Sequence, residues 1–360
     1  MYCAIIGAGS IGALKQYEFD SICSKFILTH AHALYHFRET NLITDFYIVD
    51  KNFEKKEEAQ FKWNCLGFLS LQGLKRKNEY IDVFTVSTST EFHYDVLKEI
   101  LEHFNPKLVI VEKPFCLNYK QALEIYQLYQ KRKIQLVINY TRRFSFSIQS
   151  LRELLVNNYY GKVKACNVIY VRGFVRDASH ALDLCSYFFG DFKTGNILGK
   201  RINYYDDYDQ KDLTFPVWME FEHCKNVYFT PSDGRDYSIF ELDILTENAR
   251  IQLFDHCKKT KIFNKKKEEV YGNFNSLDYE NDIVIENNNL EQSLYVLYMN
   301  IFDFLRDKNS LICCGLDGLK VQRIYDFFNL NKNVYKFVGT DKKEEILQYR
   351  TDRKGFHNKI

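Results

Sequence analysis

The sequence predicts an α/β fold in two parts: a doubly wound parallel sheet over residues 1–140, then a second α/β domain over 141–335. Three observations lead there. A glycine-rich turn follows the first apolar run. Apolar runs then alternate with helix-periodic stretches as far as Phe144. After residue 150 the extended segments follow one another closely, as antiparallel partners do.

Cys3 to Ile6 is short and wholly apolar, as a buried parallel strand must be. Gly7-Ala8-Gly9-Ser10-Ile11-Gly12 follows at once, a G-x-G-x-x-G where a strand should turn into a helix. Gly7 permits the tight turn, Gly9 a close approach to a pyrophosphate, and Gly12 close packing of helix on strand. The N–H groups of Gly9, Ser10 and Ile11, at the positive end of that helix, would face the phosphates. A long helical pattern with Ile22, Phe26, Ala33, Leu34 and Phe37 on its apolar face is expected next. Phe46 to Val49 is the second strand, ending in Asp50. A carboxylate there hydrogen-bonds ribose hydroxyls and repels a 2′-phosphate, which favours NAD, while Lys51 beside it keeps NADP open.

Lys51 to Lys62 reads as a charged helix, and Asp82 to Val86 as a strand. The polar end Ser87-Thr88 lies at the carboxyl edge of that strand, where a cofactor would rest. A helix over Phe92 to Phe104, a strand over Leu108 to Val111, a helix over Ala122 to Tyr129 and a strand over Ile134 to Ile138 complete the first part. In the second, a helix over Ile148 to Leu155 precedes an extended run, Val163 to Val171, and a helix from Ser179 to Phe189. Trp218 to Phe221, Val227 to Phe229, Ile239 to Leu245 and Arg250 to Phe254 read as strands. Helices over Leu290 to Leu305 and Leu316 to Phe328 close the domain, and 336–360 reads as a charged tail.

Lys and Arg number 49 against 47 Asp and Glu, a net charge of +2, so neither a nucleic-acid nor a membrane partner is implied. Ten scattered cysteines without a C-x-x-C point to a reduced, cytoplasmic protein. No signal peptide is read at the N-terminus, and no apolar stretch reaches the ~18 residues of a membrane span. His32 and His36 are spaced i, i+4, but no third ligand is spaced near them, so no metal is expected.

Lys113 sits just past the Leu108–Val111 strand, flanked by Glu112 and Pro114. A lysine held at that edge is either a desolvated functional ammonium or a surface lysine of a βα loop. His180 lies near the start of a helix with Asp177 and Asp183 close by. A carboxylate beside the imidazole would raise its basicity and orient it to take a hydroxyl proton. Arg142 and Arg143, after Tyr140, would pair with a substrate oxygen or phosphate, or else form a salt bridge between the two parts.

Taken together, the GAGSIG turn, the STSTEFH stretch ending in His93, VEKPF, NYTRRF, SHALDL and FELDILTENARIQL resemble the Gfo/Idh/MocA oxidoreductases. The resemblance implies a Rossmann domain and a C-terminal α/β domain with an open, mostly antiparallel sheet. It implies a nicotinamide dinucleotide held near Gly7, Gly9, Ser10, Ile11, Gly12, Asp50, Ser87, Thr88, His93, Glu112 and Lys113. It implies Lys113 as the catalytic lysine, with His180 and Asp177 beside it, and Tyr140, Arg142, Arg143 and Asp183 at the substrate. Homo-oligomers packed through the open sheet face are also implied. The sequence reading is thus an NAD(P)-dependent oxidoreductase of a sugar, cyclitol or nucleotide-sugar hydroxyl. The alternatives are a reductase of a non-sugar carbonyl or imine, and a dinucleotide-binding sensor or scaffold without catalysis.

Overall fold

The computed structural model describes residues 1–15, 19–201, 212–268, 270, 272, 274–286 and 289–330; the expected charged tail at 336–360 lies outside them. The first half runs β1 (Tyr2–Ile6), α1 (His30–Glu39), β2 (Asp45–Val49), α2 (Phe53–Trp63), β3 (Leu66–Phe68) and α3 (Leu71–Lys77). It continues with β4 (Val83–Val86), α4 (Thr90–His103), β5 (Leu108–Glu112), α5 (Tyr119–Lys131) and β6 (Gln135–Asn139). The strands form one six-stranded sheet in the order β3-β2-β1-β4-β5-β6, every pair parallel. Helices on both faces bury the central strands, which explains why VFTV and LVIVE are buried throughout. Strand order reverses between β1 and β4, so a crevice opens at their carboxyl ends.

The first helix departs from expectation. α1 begins only at His30, and Ile22 is exposed, so the long apolar face does not exist. The glycine loop makes one turn of its own, with Ala13 N donating to Gly9 O at 3.0 Å. His30 N then donates to Ile11 O at 3.0 Å and Ala31 N to Gly12 O at 2.9 Å. Were residues 15–29 cut out, His30 would fall in the place of residue 15, and both bonds would have ordinary i→i−4 spacing. The helix is therefore interrupted after its first turn by an insert and resumes in register. This accounts for the long gap between Gly12 and Asp50. Asp20, buried in the insert, anchors it by accepting from Lys62 Nζ at 2.6 Å.

The second half adds α6 (Phe146–Val156), β7 (Val163–Tyr170), α7 (Ala178–Phe189), β8 (Phe192–Ile197), β9 (Val217–Phe221), β10 (Cys224–Pro231), β11 (Glu241–Thr246) and β12 (Ala249–Phe254). β13 (Lys259–Lys267), β14 (Asn275–Leu277), β15 (Ile283–Glu286), α8 (Ser293–Phe304) and α9 (Gly315–Leu330) follow. Among the described residues its sheet has nine strands, ordered β14-β13-β12-β11-β7-β10-β9-β8, with β15 beside β13. All pairs are antiparallel except β7 with β10. Phe240, Leu242 and Ile244 face inward, as the alternation requires. β13 escaped the sequence reading because its KTKIFNKKK is nearly all lysine outside its buried Thr260, Ile262 and Phe263.

The last two helices tie the halves together. α8 packs on α1, where Phe37 stacks on Tyr295 with ring centroids 4.6 Å apart. α9 touches α5 and β6 on one side and α7 and β8 on the other. Among the described residues no helix is long and apolar enough to cross a membrane.

Candidate active site

The glycine loop is built for a tight approach. Gly7 has φ +101°, and a Cβ there would lie 2.8 Å from the Ser87 and Thr88 backbone. A Cβ on Gly12 would overlap the Gly7 carbonyl oxygen, whereas one on Gly9 would meet nothing within 4 Å. Open space at Gly9 beside a close-packed Gly12 is the shape a pyrophosphate cradle needs. Among the described residues, no group accepts from the N–H of Gly9, Ser10, Ile11 or Gly12. The Thr88 hydroxyl beside the loop is also buried without a partner. These residues fit a dinucleotide. Gly7→Ala is expected to destabilise the fold by about 1–3 kcal/mol and weaken NADH binding, read by thermal denaturation and NADH fluorescence titration.

Several other expected cofactor residues brace the cradle from behind. Ser87 Oγ donates to Gly7 O at 2.9 Å. Asp50 closes β2 as expected; its Oδ2 accepts from Ala8 N and its Oδ1 from Asn52 N, both at 2.8 Å. His93 is a correction. It is fully buried, with Nε2 3.0 Å from Thr88 O and Nδ1 3.1 Å from Pro114 O, so its ring pins one loop to the next. Glu112 is another. Its buried Oε1 accepts from Asn139 Nδ2 at 2.6 Å and lies 2.9 Å from His30 Nε2. His30 Nδ1 is 3.1 Å from the Tyr298 hydroxyl, which is 2.7 Å from Thr85 Oγ1. A carboxylate only accepts, so His30 carries its proton on Nε2, and Tyr298 donates to Nδ1 when the ring is neutral. Burial alone would raise the Glu112 carboxyl; the His30 and Asn139 bonds and the Lys113 charge reverse this and hold it low. Glu112 is therefore an anchored anion behind Lys113.

The Lys113–Pro114 bond is cis. Lys113 Nζ crosses to the second half and donates to Arg176 O at 2.8 Å. That carbonyl lies one turn before His180, whose N–H donates to Asp177 O at 3.2 Å. Burial holds the Lys113 ammonium below the usual lysine range, against the pull of Asp177 and Glu112 and with the help of Arg142 and Arg176. Burial first, then the charges of Lys113 and Arg142, hold the His180 imidazole well below its ordinary value. At neutral pH it is an uncharged ring.

The expected carboxylate–imidazole pairing is corrected. Neither Asp177 nor Asp183 orients His180, whose Nδ1 has no partner among the described residues. Asp177 instead sits among Lys113, Arg172, Arg176 and Arg142, and burial lifts its carboxyl in spite of them. Asp183 and Arg143 are likewise not at the substrate. Arg143 donates to Asp183 through Nε at 2.9 Å, lies 2.8 Å from it through Nη2, and is 3.0 Å from Asp317 through Nη1. Arg143 and Asp183 are both buried, which makes this the salt bridge that the sequence left as the alternative. Tyr140 is buried behind His180, ring centroids 6.4 Å apart, and its hydroxyl bonds Tyr325, not the cleft.

Arg142 takes other partners than Arg143 does. Its guanidinium lies 4.0 Å from the Phe240 ring centroid and bonds Cys257. His32 and His36 stack on each other at 5.1 Å, and no group of three or more metal-ligating side chains occurs among the described residues. Sequence reasoning missed His30, Arg172, Arg176, Phe240, Cys257 and Tyr298. Thr29, which caps α1 by accepting from His32 N at 3.2 Å, was the one local signal for where that helix starts.

Residues 1–140 match the oxidoreductase family described as having an NAD-binding Rossmann fold, Gfo/Idh/MocA. The match covers 140 of the chain's 360 residues. An uncharacterized oxidoreductase of Synechocystis, sll0816, is 27% identical over 146 residues, 40% of this chain and 38% of that protein. The galactose/lactose metabolism regulatory protein GAL80 of Kluyveromyces lactis is 31% identical over 117 residues, 31% of this chain and 25% of that protein. The matched segment thus spans well under half of either relative. Among solved structures the likeness in fold extends across both halves. UDP-N-acetylglucosamine 3-dehydrogenase GnnA from Acidithiobacillus ferrooxidans aligns with TM-score 0.67 at 16% identity, over 90% of this chain and 95% of its own. WlbA dehydrogenase from Chromobacterium violaceum, solved with NADH and UDP-GlcNAcA, gives 0.69 at 15%, over 92% and 93%. A super-repressor mutant of Gal80p from Saccharomyces cerevisiae gives 0.70 at 15%, over 92% and 96%. At these identities the structural likeness establishes the shared fold.

Proposed function

We propose that this chain is an NAD-dependent oxidoreductase acting on the hydroxyl of a sugar, cyclitol or nucleotide-sugar. The observation that carries the reading is the Lys113 ammonium bonded to the segment that leads into His180, beside a glycine loop with free N–H groups. Residues 1–140 would bind the dinucleotide through Gly7, Gly9, Ser10, Ile11, Gly12 and Thr88, with Asp50 at the ribose favouring NAD over NADP. Residues 141–335 would supply the substrate wall. When bound, the nicotinamide supplies the hydride acceptor. His180, held neutral, takes the hydroxyl proton, and Lys113 hydrogen-bonds the same oxygen and stabilises its developing charge. Asp177 keeps the Lys113 charge in place. The outer sheet face, with Tyr228, Leu245 and the exposed strand Ile283–Glu286, would join copies of the chain.

The purified protein is to be incubated with NAD and a panel of sugars and nucleotide-sugars, following absorbance of reduced nicotinamide. Turnover with at least one is expected; NAD binding without any turnover would favour the second reading. That reading, a dinucleotide-binding regulator, draws support from the GAL80 likeness in sequence and in fold. The paired ammonium and neutral imidazole favour the enzyme.

The electrostatics add a pH test. Arg142→Gln removes one of the two cations that resist protonation of His180. Protonation becomes easier, so the acid limb of kcat/KM is expected to move to higher pH. Lys113 loses a like charge as well, so its limb moves the same way. A profile unchanged in position would remove Arg142 from this site.

A further inference from the structure

We propose that the substrate is an anionic sugar, and that Arg142 holds its carboxylate or phosphate next to the hydroxyl that reacts. The inference rests on the oxidoreductase reading above and adds the charge class of the substrate.

Arg142 is fixed before any ligand arrives. Its guanidinium lies over Phe240, 4.0 Å from the ring centroid, while the Cys257 thiol bonds it from the turn between β12 and β13. The turn that delivers Cys257 is unusual. Asp255, His256 and Cys257 have φ +50°, +57° and +69°, three successive non-glycine residues in the left-handed region. Such backbone is costly for residues with a side chain and persists where its surroundings impose it. Cys257 itself is fully buried, and its thiol bonds Arg142.

What Arg142 lacks is a counter-ion. Among the described residues no carboxylate lies within ion-pair distance of it, and its Nε is buried without a partner. The adjacent Arg143, by contrast, has Asp183 and Asp317. The carboxylate that acts on Arg142 is Asp177, which is shared with Lys113, Arg172 and Arg176, so four cations stand around one anion. A half-buried guanidinium in that company is short of negative charge. An oxyanion would relieve it, and the planar fork of arginine suits a carboxylate or a phosphate in two-point contact. Because Arg142 and Lys113 both act on His180, that oxyanion would sit close to the atom losing its proton.

The test is calorimetric, with NAD-loaded protein and three probes: D-glucose, D-glucuronate and D-glucose 6-phosphate. Tenfold or greater preference for a charged probe over glucose is expected, and whichever charged probe wins identifies the oxyanion as carboxylate or phosphate. Arg142→Gln should abolish the preference and Arg142→Lys restore part of it, with NAD affinity unchanged in both. Equal binding of the three probes, binding of none, or a preference that survives in Arg142→Gln would overturn the proposal. If NAD binds and neutral sugars are oxidised without charge preference, the charge class falls and the oxidoreductase reading stands. If NAD itself does not bind, both fall.

Discussion

Lys113→Ala is expected to lower turnover by about a hundred- to ten-thousandfold while NADH affinity stays within a few-fold of the parent. The reason is positional. The ammonium sits at the carboxyl edge of β5, its aliphatic stem leaving a strand end whose Glu112 is locked by His30 and Asn139. Its Nζ is already within 2.8 Å of the second half of the molecule, on the segment that carries His180. Removing it takes away the one ammonium among the groups that act on the imidazole, while the glycine loop and Asp50 are untouched. Steady-state kinetics beside NADH fluorescence titration separate the two effects. Full activity in the variant would end the assignment of Lys113.

The second large effect is on stability. Arg143→Ala is expected to destabilise the fold by about 3–5 kcal/mol, because it strands the carboxylates of Asp183 and Asp317 inside the protein. Arg143 comes from the turn after β6, Asp183 from α7 and Asp317 from the start of α9. One guanidinium thus fastens three segments of the chain, and burial keeps the Asp183 carboxyl as high as about 7 even with its partner present. Asp183→Asn with Arg143 retained should cost less, since a neutral amide still accepts from the guanidinium. Chemical denaturation midpoints measure both. A loss below about 1 kcal/mol for Arg143→Ala would mean that water reaches the pair.

These two residues show how far the sequence could be read. Lys113 was legible because its strand is a plain apolar run and its neighbours in the chain mark the edge. Arg142 and Arg143 are adjacent, alike and equally placed after a strand, and nothing local separates them. Only the side chains brought to them do so: Phe240 and Cys257 for one, Asp183 and Asp317 for the other. The same holds for His180. Its sequence neighbours Asp177 and Asp183 suggested a raised basicity, whereas burial first, and then the charges of Lys113 and Arg142, lower it. Five of the six strands of the first sheet were readable from their apolar runs; β3, three residues long and not buried, was missed. α1 was not, since an insert hides its start and the join at Ile11–His30 is a long-range bond. Tyr298 reaching Thr85 and His30 from α8 is beyond any local pattern for the same reason.

The proposed chemistry requires a nicotinamide ring beside both the Lys113 ammonium and the His180 imidazole. A crystal structure of the protein with NADH would decide this. The expected result is the pyrophosphate on the N–H groups of Gly9 to Gly12 and the ring within van der Waals reach of both side chains. A ring bound away from either one, with the adenosine half in the same cradle, would contradict the claim and leave a protein that holds the dinucleotide without using it.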